Sequence, residues 1–263
     1  MKTAKIQLNG KSLSYNIFGK GKKVIVFLHG YLESKELWTD FSTILSSKYI
    51  VICPDLPGQG ESDPQPEQTV ESMAEAVSAL LDFLKIENVF LFGHSMGGYV
   101  ALAFAELFPE KLKAIGLLHS HPFSDSEEKQ KQRSLEIDLV KKGKRELIIR
   151  NSIPKLFALE FIETNKFSVE KAIEMALKTT DEGMIACIYA MMKRKDRLAV
   201  LRKMRIPILM IAGRKDELIL CSKAIDTSKE IDNITFYILE NSGHVGMIEE
   251  PKKMLKKIEK FLF

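Results

Sequence analysis

The densest chemical signal in the chain is the run Phe90-Leu91-Phe92-Gly93-His94-Ser95-Met96-Gly97-Gly98-Tyr99. An apolar segment enters Gly-x-Ser-x-Gly and a second apolar segment leaves it. A serine on a sharp strand-to-helix turn holds its hydroxyl clear of the backbone, ready to attack an electrophilic carbon. The glycines have a steric reason: such a turn folds the chain against itself, and side chains at Gly93 and Gly97 would collide. The amide after the serine, that of Met96, then points to where an oxyanion would form, at a helix N-terminus whose field favours negative charge. Serine also needs a base. Five histidines are available: His29, His94, His119, His121 and His244. The base in turn needs a carboxylate to fix its tautomer and stabilise its charged form. Asp125, Asp216 and Glu217 are candidates. Asp55, inside Asp-x-Pro-Gly-x-Gly, reads instead as a carboxylate that stabilises its own turn.

Other chemistries find less support. Cys53, Cys187 and Cys221 are far apart and lack a Cys-x-x-Cys spacing, so they read as buried, reduced thiols. His119 and His121 are close in sequence, but a lone pair beside Pro122 makes a poor metal site. No metal and no organic cofactor are expected. The formal charge of +4 on 263 residues is too small to argue for a nucleic-acid partner. No apolar run reaches the length of a membrane span. The N-terminus, Met1-Lys2-Thr3-Ala4-Lys5-Ile6-Gln7, lacks the apolar stretch of a secretory signal, which reads as a cytoplasmic protein. Nothing in the sequence speaks to the oligomeric state.

The elements that must position these residues follow from periodicity. Two short alternating runs, 5–8 and 13–18, flank Asn9-Gly10, a strong hairpin signal. Continuous apolar runs at 24–28, 49–53, 89–92, 114–118 and 208–212 read as strands buried on both faces, and 234–239 as a last strand. Helical spacing links Val70, Met73, Ala74, Val77, Leu80, Leu81 and Leu84. The segment 99–108 is apolar nearly all round and should be a buried helix, and a further helix begins at Pro251. Alternating strands and helices imply a mostly parallel sheet. The alternation stops between Ser120 and Met204, a stretch with 18 Lys+Arg against 13 Asp+Glu and helical spacing of its apolar residues. We read residues 120–203 as a helical cap inserted into a core made of 1–119 and 204–263. Phe123, Phe157, Phe161 and Phe167 would either form the cap's own core or line an apolar pocket beneath it.

With these motifs in place, the chain resembles the α/β-hydrolase superfamily, particularly its esterase- and lipase-like members with a helical cap. The resemblance covers nearly the whole chain outside the cap. It rests on Leu28-His29-Gly30-Tyr31, Asp55-Leu56-Pro57-Gly58-Gln59-Gly60-Glu61-Ser62, Gly93-His94-Ser95-Met96-Gly97-Gly98, Gly213-Arg214-Lys215-Asp216 and Ser242-Gly243-His244. It implies an eight-stranded, mostly parallel sheet with helices on both faces. It also implies the chain order nucleophile, acid, histidine, which assigns Ser95 as nucleophile, Asp216 as acid and His244 as base. His29 and His94 become structural, and the oxyanion hole becomes the amides of Tyr31 and Met96. Some relatives carry the acid after the preceding strand, where this chain offers Asp125. Many have a proline shortly after the acid, whereas here the run is Glu217-Leu218-Ile219-Leu220.

The implied activity is hydrolysis of a small-molecule carboxylic ester or thioester through an acyl-enzyme on Ser95. A basic cap suits an anionic substrate, although a solvated helix face accounts for the charge equally well. C–C hydrolysis, lyase chemistry and cofactor-free peroxidation use the same triad. A low-turnover ligand receptor would keep it too.

Overall fold

The computed structural model describes residues 1–262. The chain opens with a hairpin, β1 (Lys2–Leu8) against β2 (Lys11–Phe18). Asn9 and Gly10 between them have φ of 51° and 77°, the primed turn whose twist matches a two-residue hairpin. β3 (Val24–Leu28) is buried along its whole length. α1 (Thr39–Leu45) leads to β4 (Ile50–Pro54). α2 (Val70–Phe83) starts at a capping box in which Thr69 Oγ1 accepts from the Ser72 amide and Ser72 Oγ accepts from the Thr69 amide, each at 3.0 Å. β5 (Val89–His94) runs into α3 (Met96–Leu107), and β6 (Leu112–Leu118) follows.

From there to β7 (Ile208–Gly213) the chain forms helices and, among the described residues, no strand. These are α4 (Glu127–Lys141), α5 (Arg145–Ser152), α6 (Leu159–Thr164), α7 (Lys166–Leu177), α8 (Asp181–Lys193) and α9 (Leu198–Lys203). The chain ends with α10 (Cys221–Lys229), β8 (Ile234–Leu239), α11 (Gly246–Glu249) and α12 (Pro251–Leu262).

The eight strands form one sheet in the order β1-β2-β4-β3-β5-β6-β7-β8. β1 and β2 pair antiparallel, as do β2 and β4, and the pairings from β4 through β8 are parallel. Side chains alternate across it. Val26, Leu28 and Leu91 face α2 and α3, while Ile25, Phe27 and Phe92 face α1 and α12. All six are fully buried, each worth about 1.5–3 kcal/mol relative to exposure. Burial on both faces is why these strands read as unbroken apolar runs.

α3 begins at Met96, earlier than the apolar pattern suggests. Gly97 and Gly98 are weak helix formers, but packing requires them. A methyl on Gly97 would lie 2.6 Å from the carbonyl oxygens of Leu28 and His29, and one on Gly98 would lie 2.3 Å from Ser120 Oγ. Within the insertion, α4 packs on α5 and α8, and α7 on α5 and α6; α9 packs on α3 beneath.

Candidate active site

The parallel strands deliver their chemistry at their C-terminal ends. β4 lies on one side of β3 and β5 on the other, so the chain reverses its direction of travel across the sheet between β3 and β5. Such a switch point opens a crevice above the strand ends. Ser95 stands there, one residue beyond β5. Its φ is 49° and ψ is −115°, a conformation that a non-glycine residue holds only when its surroundings enforce it. The enforcement is visible. The Ser95 amide donates to Leu118 O at 3.0 Å, and Ser95 O accepts from the Gly98 amide at 2.9 Å and from Ser120 Oγ at 2.8 Å. A methyl on Gly93 would sit 2.2 Å from Gly97 O, which bears out the steric reading of the turn. Among the described residues, the amides of Tyr31 and Met96 donate to no backbone carbonyl.

Asp216 follows β7 and His244 follows β8. Asp216 Oδ2 lies 2.8 Å from His244 Nδ1. Its other oxygen accepts from the amides of Leu218 and Ile219 at 2.9 and 2.8 Å. The loop lacking the family's proline is thus folded around the carboxylate itself. Burial would push the Asp216 carboxyl up, but His244 and His119 beside it hold it well below the usual carboxylate range. Nδ1 of His244 donates to the carboxylate, which leaves Nε2 as the basic nitrogen. That Nε2 is buried with no hydrogen-bond partner among the described residues, in the cavity that Ser95 lines. Glu217 is exposed at the same cavity.

The other histidines fall into place individually. His29 donates from Nδ1 to Gly30 O at 2.8 Å and accepts the Leu56 amide on Nε2 at 2.9 Å. Burial lowers its pKa; it ties the loop after β3 to the loop after β4. Asp55 does the same from the other side, accepting from the amides of Lys35 and Glu61 at 2.7 and 2.9 Å and from Lys35 Nζ at 2.6 Å. His94 lies between Glu33 Oε2 and the His244 carbonyl, 2.8 Å from each. His119 follows β6. Its Nδ1 is 3.6 Å from Asp216 Oδ2, too far for a hydrogen bond, and neither ring nitrogen has a partner among the described residues. His119, Asp216 and His244 each offer a ligand atom, and these lie within 4.8 Å of one another. The 2.8 Å contact and the two amide donors on Asp216 give this group the form of a carboxylate–imidazole pair.

Above these residues is a cavity of about 580 Å³ whose walls come from the loop after β3 and from the insertion. Tyr31 reaches across to α4, its hydroxyl donating to Glu136 Oε1 at 2.9 Å. Burial raises the Glu136 carboxyl. Asp125 does not reach His244. It is buried between Arg133 and Arg194, with nitrogen–oxygen distances of 2.5 and 2.7 Å. Of the four phenylalanines, Phe123 lines the cavity, while Phe157 and Phe161 stack at 5.6 Å between centroids. Phe167 is 72 % exposed and so belongs to neither a pocket nor a core. The three cysteines are free and buried, and burial pushes the Cys53 and Cys187 thiols up to about 12, where no useful thiolate exists at neutral pH. Residue types and spacing gave no sign of Glu33 as a neighbour of the site, and His119, one of five available histidines, is placed beside Asp216 only by the meeting of separate strand ends.

Strand order and a serine on the strand-to-helix turn define the class: an α/β protein with a strained serine turn at its switch point. A model of the alpha/beta hydrolase fold matches residues 23–251, and the chain belongs to that family. It is 26 % identical over 250 residues to 3-oxoadipate enol-lactonase 2 of Acinetobacter baylyi, covering 94 % of this chain and 92 % of that one. Among solved structures, a thermophilic esterase from Thermogutta terrifontis, with malate bound, superposes with a TM-score of 0.94 at 26 % identity over 100 % of this chain and 98 % of that one. The enol-lactonase from Burkholderia xenovorans superposes at 0.91 with 22 % identity, covering 98 % and 99 %, which speaks for the fold. No helix among the described residues is long and apolar enough to cross a membrane.

Proposed function

We propose that this α/β hydrolase cleaves a carboxylic ester or thioester through an acyl-enzyme on Ser95, with His244 as base, Asp216 as the acid that orients it, and the amides of Tyr31 and Met96 as the oxyanion hole. One observation carries the reading. Asp216 holds Nδ1 of His244 at 2.8 Å, and the remaining nitrogen is unpartnered in the cavity that Ser95 lines. In the first step Ser95 Oγ attacks the carbonyl carbon while its proton passes to His244 Nε2. The carbonyl electrons move onto oxygen, which the two amides receive; each such donor is worth about 3–4 kcal/mol of barrier. Collapse re-forms the carbonyl and expels the alcohol or thiol, which takes the proton from His244. Water then repeats the sequence on the acyl-enzyme and releases the acid. Asp216 stays ionised throughout and stabilises the imidazolium.

Residues 120–203 serve in this reading as the cap that shapes the acyl site. Lys129, Lys155 and Lys223 line the cavity together with Arg133 and Arg194, which share Asp125, against the acids Glu33, Glu136 and Glu217; this slight excess of cations favours an ester bearing a distal carboxylate and is in keeping with the malate bound to the similar esterase. A fluorophosphonate should label Ser95 and leave Ser95→Ala unlabelled. Paired p-nitrophenyl esters with and without a distal carboxylate should then be hydrolysed, the anionic one with the lower KM. Labelling that persists in Ser95→Ala would remove the nucleophile from this scheme.

A further inference from the structure

Loops from β3, β5 and β8 meet beneath Ser95 at a single buried acid. Glu33, in the loop after β3, is 7 % exposed. Its Oε2 accepts from the Gly30 amide at 2.5 Å and lies 2.8 Å from His94 Nδ1. Nε2 of His94 lies 2.8 Å from the carbonyl oxygen of His244. Gly30 in turn is pressed against the nucleophile: a methyl placed on it would stand 3.2 Å from Ser95 Cβ.

Proton counting follows from these contacts. A carbonyl oxygen only accepts, so Nε2 of His94 carries hydrogen. Oε2 of Glu33 receives the Gly30 N–H and also faces Nδ1, and as a carboxylate it accepts from both. The second hydrogen therefore sits on Nδ1, and the ring is an imidazolium. Desolvation opposes burying two charges, and such a pair persists only when further hydrogen bonds satisfy it; the Gly30 amide and the His244 carbonyl provide them. Four other groups surround the pair; His29, on the loop after β3, interacts with both Glu33 and His94 and opposes the cation. The rings of His244 and His119 lie at centroid distances of 5.0 and 5.9 Å, and the Asp216 carboxylate adds an attraction that favours the cation.

We propose that Glu33 and His94 form a buried ion pair that ties the loop carrying Gly30 and Tyr31 to the loop carrying His244, and so sets the distance between oxyanion donor and base across Ser95. Both are positioning residues, and their role rests on the assignment of Ser95, His244 and the Tyr31 amide given above. Burial alone would pull His94 down and push Glu33 up; their mutual attraction reverses both directions.

The state of the pair can be read without any substrate. In histidine-15N-labelled protein at about pH 8, well above the ordinary imidazole value of about 6.5, both ring nitrogens of His94 should be protonated. Both contacts of Glu33 fall on Oε2, so in Glu33→Gln an amide oxygen placed there still accepts from Gly30 but no longer carries charge, and His94 should become neutral with hydrogen on one ring nitrogen alone. Turnover supplies the positional readout. A displacement of about 1 Å in such a site costs about 100-fold. Glu33→Leu should therefore lose about 100-fold in kcat with KM little changed, whereas Glu33→Gln should stay within about tenfold of the parent. A neutral His94 in the parent protein at that pH overturns the ion pair. Equal kcat losses in the two variants, or changes confined to KM or to the unfolding midpoint, overturn the positioning role. Absence of Ser95 labelling by a fluorophosphonate would instead undermine the catalytic reading beneath it, and the ring spectrum would still report on the pair.

Discussion

His119 offers a prediction whose size follows from its surroundings. The ring is 1 % exposed, packed so closely that a methyl on Gly246 would lie 2.5 Å from its Nε2. Burial lowers its pKa to about 4; Asp216 pulls it upward, while His244 and His94 push it further down. The unfolded chain returns it to about 6.5, and the difference amounts to about 3 kcal/mol when fully expressed. The folded form excludes this proton between those values and the unfolded form takes it up. The stability is therefore complete above about pH 6.5 and is lost as pH falls towards 4, with about 2 kcal/mol gone by pH 5. His119→Asn removes the titration and suits the backbone, since His119 has φ of 48° and Asn tolerates that region. Urea unfolding at pH 7 and at pH 5 gives four free energies. The parent should lose about 2 kcal/mol more than His119→Asn between the two conditions, because the other titrating groups are common to both proteins. Equal pH-dependent losses would refute the argument, whatever the variant's absolute stability.

Asp216→Asn should lower kcat by up to about 10⁴-fold, because an amide favours the wrong imidazole tautomer. Asp125→Asn should act on stability instead, by about 3 kcal/mol in urea, since Arg133 and Arg194 lose their shared buried partner; kcat tells the two apart. Gly93→Ala should cost more than about 3 kcal/mol in thermal or urea unfolding, because its methyl meets backbone 2.2 Å away. Chelators should leave ester hydrolysis unchanged; inhibition reversed by one particular metal would place an ion on His119, Asp216 and His244.

Much of this architecture was legible in the residues. Asn9-Gly10 fixed the hairpin, the apolar runs marked the strands, and Gly-x-Ser-x-Gly between a strand and a helix marked the crevice. β1 was underread, beginning at Lys2 where 5–8 was expected, because an edge strand needs little apolar content and only Ile6 on it is buried. α3 was underread for the opposite reason: Gly97 and Gly98 argue against helix locally and are required by contacts from other parts of the chain. The site was legible where its members sit at strand ends and obscure where they meet over long separations. Glu33 and His94 are 61 residues apart, and no periodicity pairs them. Asp125 is a candidate acid by its place after β6, and its ion pairs with Arg133 on α4 and Arg194 just after α8 appear only in the folded chain.

The place where the insertion joins the sheet has an evolutionary consequence. β6 and β7 are hydrogen-bonded neighbours in unbroken register, Ile115 opposite Ile208 through Leu118 opposite Ile211, although all the helices from α4 to α9 come between them in the chain. The sheet closes as though nothing had been spliced in. A change in the length of that stretch need not disturb the pairing of β6 with β7, and so can leave the sheet spacing between the strand ends that carry Ser95 and Asp216 as it is. The insertion is nonetheless joined to the core at several places: Tyr31 with Glu136, Arg197 with Glu71 and Glu106, and the His244 amide with the Leu156 carbonyl at 2.7 Å.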